Sequence, residues 1–257
     1  MKILDWVAIL GALAWTPHVI SAIRKLFTKP EVRIIINRTA EMGFTTFGPI
    51  FNVRLAFSVK NHDIVVSDLK IRIIHESREE KIFEWRGIRQ EVLKMTAPDG
   101  SEVPYEKEHS VLAIKLNQKE IEERLIQCQE TAFINGKNAH ESKVFKRMIY
   151  LKDQGELDPA KFLKSSEMVD LFSYIKHSFA WKSGTYEAVI ELESPEKFNL
   201  VDNRYKFTLT PIDVEELEKN KAQIEISYGK KAETEGEGEE IKAAWNWRNP
   251  TLIKLNK

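Results

Sequence analysis

"FNVRLAFSVKN", residues 51–61, decides the fold. Val53, Leu55, Phe57 and Val59 fall on one side of an extended chain, and Asn52, Arg54, Ala56, Ser58 and Lys60 on the other. Successive side chains of a strand point to opposite faces, so this alternation describes a strand with one face in a core and one in water. Asn61-His62-Asp63 then supplies turn-forming side chains.

The same period recurs on both sides. Val32, Ile34 and Ile36 alternate with Arg33, Ile35 and Asn37 upstream, and Leu69, Ile71 and Ile73 with Lys70 and Arg72 downstream. Polar turns set off "KIFEW" and "SVLAIKL", and later Ala188, Ile190 and Leu192, then Tyr205, Phe207 and Leu209, repeat the pattern. The predicted strands are 31–37, 51–60, 64–75, 81–86, 110–116, 184–194 and 203–210, with 195–203 joining the last two as a hairpin. Between the fifth and sixth, Asn117 and Glu120 have capping-box spacing. They predict a helix to about Phe133 with Cys128 at its middle and Gly136 at its end. Residues 139–151 read as helix or irregular chain. Asp158-Pro159 opens a further helix carrying Phe162, Met168, Val169, Phe172 and Ile175. A short helix with Asp213 and Glu216 near its start follows Pro211, and "QIEISY" at 223–228 reads as one more strand.

Seven alternating strands exceed what one flat sheet with an open face needs. The expectation is a mainly β fold: a β-sandwich domain at 30–229 with a helical insertion at about 117–178. The alternative is an α+β single sheet covered by helices. Gly184-Thr185-Tyr186 at a strand start resembles the tyrosine corner of immunoglobulin-like sandwiches. That resemblance rests on three residues and a strand order. It implies an immunoglobulin-like sandwich and a bond from Tyr186 back to the chain just upstream.

Residues 1–29 form a different unit. Eighteen residues between Asp5 and Arg24 carry no Asp, Glu, Lys or Arg, close to the roughly 20 that cross a bilayer as a helix. Trp6 and Trp15 suit interfacial depth, Arg24 and Lys25 can snorkel, and Pro17 kinks the segment. A signal peptide cut after Ala12-Leu13-Ala14 and a helix lying in the interface or docked on protein are the rival readings. Arg24, Lys25, Lys29, Arg33 and Arg38 follow the segment, which predicts a single-pass membrane protein with its C-terminal domain in the cytoplasm. A peripheral or soluble protein with a docked N-terminal helix is the alternative. The single cysteine, Cys128, forms no internal disulfide and fits a reducing compartment.

Function is less legible. Lys+Arg and Asp+Glu both number 39, so no net positive field gathers nucleic acid, and none is expected as a partner. No nucleophile elbow, phosphate-binding loop or zinc-protease helix occurs, and no cofactor or metal is expected. The six histidines (18, 62, 75, 109, 140 and 177) fall in separate elements. Two stretches read as contact surfaces. One is the loop 42–51, with Phe44 and Phe47 at its tip. The other is the segment 241–257, with Trp245, Trp247 and Arg248, behind an acidic flexible linker at 230–240. Docking of that segment on its own domain's sheet edge is the competing reading. The expected role is a membrane-anchored, non-catalytic binding or assembly module for a protein partner or small ligand. The alternatives are an enzyme with its site between sandwich and inserted helices, using scattered carboxylates or His75, His109 and His177, and an extracytoplasmic sensory or adhesion domain.

Overall fold

The computed structural model describes residues 15–17, 19–20, 28–96, 102–109, 113–233 and 244–255. β1 (Glu31–Thr45), β2 (Gly48–Lys60), β3 (Ile64–Val66), β4 (Asp68–His75), β5 (Glu80–Thr96), β6 (Glu102–His109), β7 (Ile114–Leu116) and β8 (Ile121–Glu130) come first. Helices α1 (Thr131–Asp153), α2 (Pro159–Phe162) and α3 (Ser166–His177) follow, then β9 (Gly184–Glu193), β10 (Asn199–Val201) and β11 (Arg204–Leu209). Helices α4 (Pro211–Glu218) and α5 (Asn220–Glu233) and strand β12 (Ile253–Lys254) complete the order.

β2 behaves as its alternation predicts from Val53 onward, whereas Asn52, expected in water, is buried and its Oδ1 accepts from Cys128 N at 3.3 Å. Phe51, Val53, Leu55, Phe57 and Val59 are buried, and the strand pairs antiparallel with β1 on one side and β8 on the other. β1 runs well past Asn37. An irregularity between Ile36 and Ala40 resets its register, after which Ala40, Met42 and Phe44 are buried. Ten strands share one mixed sheet in the order β10-β1-β2-β8-β5-β4-β9-β11-β12, with β6 on β5. β10 lies parallel to the first residues of β1; the other pairings are antiparallel.

The sheet curls until its two ends meet at the C-terminal segment. β12 pairs with β11 through Tyr205↔Lys254 and Lys206↔Ile253. The residues before it bond to β1: Met42 N donates to Arg248 O at 2.8 Å, Arg248 N to Met42 O at 2.9 Å, and Leu252 N to Arg38 O at 2.7 Å. Tyr205 Oη donates to Asp202 O at 2.5 Å and lies 3.3 Å from Ile34 O, so β11 and β1 face each other across this seam. The core fills the curl. β3 and β7 pair with each other, and Ile64, Val66, Ile114 and Leu116 join that core from the end where β1 begins. The helices join it from the opposite end, through Phe133, Met168, Leu171, Ile175, Leu217 and Ile224.

The mainly β reading with helices between strands holds, but two separate immunoglobulin-like sheets are not established by this single curled topology. The local bond that the resemblance implied is present. Tyr186 Oη donates to Lys182 O at 2.8 Å and accepts from Lys182 N at 2.7 Å.

Several expected elements differ. Residues 121–130 are strand β8, not helix. Their Glu, Arg, Leu and Gln favour helix by small increments, but the segment hydrogen-bonds β2 on one edge and β5 on the other, and that pairing prevails. Cys128 is therefore a buried strand residue, whose thiol burial pushes up and keeps protonated. Asn117 Nδ2 donates to Glu120 Oε2 at 2.8 Å in the turn before β8 and caps no helix. The helical insertion begins at Thr131, and Gly136 lies inside α1. A Cβ there would come 2.1 Å from Tyr174 Oη, so the glycine admits a close approach of α3. "QIEISY" belongs to α5, where Ile224 and Tyr228 stand one helical turn apart and Ile226 is exposed. Residues 42–51 close β1 and open β2 about a Thr46-Phe47 turn rather than forming a loop. The polar stretch after Pro98 contains β6, and 195–203 contains β10. Residues 230–233 of the expected linker are helical, and the rest of 230–240 lies outside the described residues.

Trp6, Arg24 and Lys25 also lie outside them, while Trp15 sits in a helical stretch and is largely exposed. Among the described residues no helix is long and apolar enough to cross a membrane.

Two measurements probe the closure. Removing residues 244–257 leaves the outer edges of β11 and of residues 38–42 of β1 unpaired and uncovers the ground beneath Leu252. Urea unfolding should show a loss of about 3–5 kcal/mol, and Leu252→Ala alone about 2–3 kcal/mol. Tyr186 and Tyr205 carry phenols that burial pushes up to about 12, against about 10 in an unfolded chain. Their contribution is whole below about pH 10 and is lost as pH rises through about 12. Melting temperature should fall across that window, and Tyr186→Phe with Tyr205→Phe should flatten the fall.

Candidate functional site

The helices at one end of the sheet are positioned by the strands that feed them. Glu130, buried at the end of β8, receives Lys81 Nζ at 3.0 Å, and α1 departs from there. Phe133 is buried in its first turn and stacks on Tyr174 of α3 at 5.7 Å, while Tyr174 Oη donates to Phe133 O at 3.0 Å. His140, two turns along, stacks on the same Tyr174 ring at 4.8 Å. These contacts fix the early part of α1 to α3.

Further along, the two helices are held apart by the chain between them. Asp158 accepts from Ala160 N at 3.0 Å and Lys161 N at 3.2 Å, with Pro159 at the first helical position, and so starts α2. Ser165 Oγ accepts from Met168 N at 3.4 Å and starts α3, whose Met168, Leu171, Phe172 and Ile175 recur at three and four residues and are buried. α5 crosses this layer with Tyr228 edge-on to Phe172 at 5.4 Å. Lys176 pairs with Glu225 beside that crossing.

Between these four helices lies a cavity of about 320 Å³. α1 lines it with Val144, Phe145 and Met148, the α2 segment with Leu157, Phe162 and Leu163, and α3 with Met168 and Leu171. Its polar wall is a pair. Tyr228 Oη donates to Glu141 Oε1 at 3.3 Å, and Lys137 Nζ reaches the same oxygen at 3.1 Å. Burial, and then the Glu141 charge, raise the phenol of Tyr228 far above its ordinary range, so it stays a donor at neutral pH. Phe145 forms the rim and is 57% exposed, and Ile149 one turn on is exposed as well. Ligand sites commonly occupy about 300–1,000 Å³ with mostly apolar walls and a few convergent polar groups. The two methionines give the walls adaptable side chains.

A second cluster at the same end is closed. His75, Glu79, Lys81 and Lys182 surround Trp181 and Tyr186, but the space among them is about 10 Å³, room for one water at most. His75 Nδ1 lies 2.8 Å from Ser77 Oγ and Nε2 3.2 Å from Ser183 O. Lys182 pairs with Glu79 and holds its carboxyl below the usual range. His177 Nδ1 lies 2.7 Å from Ser173 O on its own helix, and His109 stands opposite Ile88 on β6. His75 and His177 thus have different partners and do not meet. Among the described residues no group of three or more His, Cys, Asp or Glu is placed to hold a metal ion.

The residues singled out from sequence are placed as follows. Phe44 is fully buried, edge-on to Phe179 at 5.1 Å, and presents no surface. Phe47 is exposed at the turn, with Lys137 Nζ 5.0 Å from its ring centre. Trp245 packs against the core. Trp247 is 38% exposed and lies over Gly43, where a Cβ would come 2.5 Å from its ring. Arg248 Nε stands 3.4 Å from Asp213, with Glu216 at 3.6 Å from its guanidinium. Asn246 exchanges two bonds of 2.8 Å with buried Asn220. The tail is thereby docked on its own domain. Sequence reading missed the cavity because apolar residues are spread around α1, leaving no clean stripe. The spacing Val144, Phe145, Met148 was the available signal.

Comparison with protein-family models, curated proteins and solved structures returns no match.

Groove and core residues should separate by stability. Phe145→Ser at the open rim should change unfolding free energy by less than about 0.5 kcal/mol, whereas Phe172→Ala beneath it should cost about 3–4 kcal/mol, both read by chemical denaturation.

Proposed function

We propose that this protein is a membrane-tethered, non-catalytic binding module whose receptor surface is the helical cap. The observation that carries the reading is the apolar cavity among α1, α2, α3 and α5, which a packed interior would normally fill. The curled sheet serves as the rigid scaffold. Its sandwich-like character is supported by the Tyr186 corner. Residues 5–27 are the proposed tether, with Trp6 and Trp15 at interfacial depth and Arg24 and Lys25 on the cytoplasmic side. The chain enters the sheet at Glu31, and the helices sit at the other end of β1, up to roughly 45 Å away along the strand. A cavity at that end faces away from the tether. Phe47 and Trp247, exposed at the same end, are proposed as auxiliary contacts for a protein partner.

The test uses an environment-sensitive dye, anilinonaphthalene sulfonate, on full-length protein in detergent-free nanodiscs. Dye fluorescence should saturate at one site, and Leu163→Arg should weaken it at least tenfold with an unchanged melting temperature. Equal dye binding by wild type and variant overturns the groove as receptor. Intact protein in the soluble fraction, without detergent or a hydrophobic companion, overturns the tether.

A further inference from the structure

We propose that the outward face of the second half of α1 docks on an anionic bilayer surface. This rests on the helical cap being a contact end of the domain and is independent of what enters the cavity. Past Phe133 no residue of α1 is fully buried. In the stretch "SKVFKRMIYLKD", residues 142–153, Val144, Met148 and Leu151 recur at four and three residues and are half-buried, while the other nine residues are exposed. Phe145, Ile149 and Tyr150 are among the exposed ones. Phe145 and Ile149 stand four apart, so they share one face as an apolar ridge.

The charge of the partner follows from what surrounds that ridge. The same twelve residues carry four cations, Lys143, Lys146, Arg147 and Lys152, against one acid, Asp153. Arg147 is engaged, lying over the Tyr150 ring at 5.4 Å and near Glu167 of α3. Lys143, Lys146 and Lys152 have no ion pair among the described residues. A helix that shows a ring and an aliphatic side chain among unanswered lysines has two attractions to anionic lipid. Its apolar side chains enter the boundary between head groups and acyl chains. Its ammonium groups, on long apolar stems, meet the anionic head groups.

An acidic protein segment offers the same charge, but the make-up of the ridge disfavours it. Protein interfaces are depleted in Lys and enriched in Arg, whose planar fork fixes a carboxylate in one geometry. Here the unengaged cations are all Lys, and the one Arg is laid on a ring. Diffuse attraction without fixed geometry is what an array of lipid head groups supplies. The chain leading to the proposed tether is fixed at the opposite end of the sheet, where Asn61 Nδ2 donates to Lys29 O at 2.7 Å and His62 Nε2 bonds Thr28 O. Contact at α1 is therefore a second attachment, remote from the first. The domain makes it by lying along its own bilayer or by reaching a facing one.

The experiment uses full-length protein carrying Ser142→Cys, labelled with a nitrobenzoxadiazole dye and assembled in phosphatidylcholine nanodiscs. Cys128 is fully buried, so the label sits at one place. Ser142 is exposed two turns before Ile149, on the same face. Anionic lipid is supplied in two arms, as about 30% phosphatidylserine in the nanodisc itself or in added vesicles. The dye should brighten and shift to the blue in at least one arm and not with phosphatidylcholine alone, and the arm that responds tells which bilayer is met. The response should weaken at least tenfold in Lys143→Gln/Lys146→Gln/Lys152→Gln, in Phe145→Ser/Ile149→Ser, and in about 0.5 M salt. Unchanged melting temperatures of both variants would show that α1 stays in place. No shift in either arm, an equal shift with neutral lipid, or a response indifferent to the lysine substitutions overturns the proposal. So does a shift with an acidic amphipathic peptide where anionic lipid gives none. Failure here, with cavity dye binding still sensitive to Leu163→Arg, leaves the groove as receptor. Should the protein prove soluble, the vesicle arm is run on it directly with the same outcomes, so the tether and the ridge fail separately.

Discussion

An open sheet has two edges, and each edge exposes a row of backbone donors and acceptors that must find partners. In this protein one short segment answers both. Residues 248–252 bond to β1 and residues 253–255 to β11, so the ten-stranded sheet is stitched along a single seam. The rest follows from that closure. Val53, Leu55, Ile71, Ile73, Ile190 and Phe207 acquire a common inside, and Tyr205 bridges the seam from beneath. The tail itself is locked from above by Asn220, Asp213 and Glu216 on the two helices that precede it.

The inside is aromatic at the helical end. Phe51, Phe83, Trp181, Tyr186 and Phe207 contact one another in a chain of rings, with Trp181 stacked on Phe83 at 5.6 Å and Tyr186 on Phe207 at 5.0 Å. Trp181 Nε1 donates to Gly43 O at 2.9 Å, which ties the chain leaving α3 back to β1. α3 can therefore bury one face against the sheet. α1 cannot follow it along its whole length, because the α2 segment intervenes beyond His140. The groove is the space that this divergence leaves.

The sequence was most readable where one face alone decides the structure. β4, β11 and the part of β2 from Val53 onward alternate because one side meets the core and the other meets water. It was least readable where pairing partners decide. β8 has the composition of a helix, and only the neighbours that flank it on both edges make it a strand. The reverse error arose in α5, where Ile224, Ile226 and Tyr228 alternate yet Ile224 and Tyr228 also fit a helical turn. The tail showed its aromatic and basic character but not its destination, since nothing local in "WNWRNPTLIKL" says which edge it will complete. The Tyr186 corner was legible from three residues because its bond is local. The groove was not, because it belongs to four helices whose relative placement no local pattern encodes.

Stitching the first strand to the last has a consequence for how the chain comes into being. β1 leaves the ribosome early, and its outer edge must wait for partners from about two hundred residues downstream. Throughout that interval a β-branched, edge-exposed ribbon is open to neighbouring nascent chains, the situation in which chaperones are most needed. The strand is thus one whose safety during translation depends on residues made about two hundred positions later.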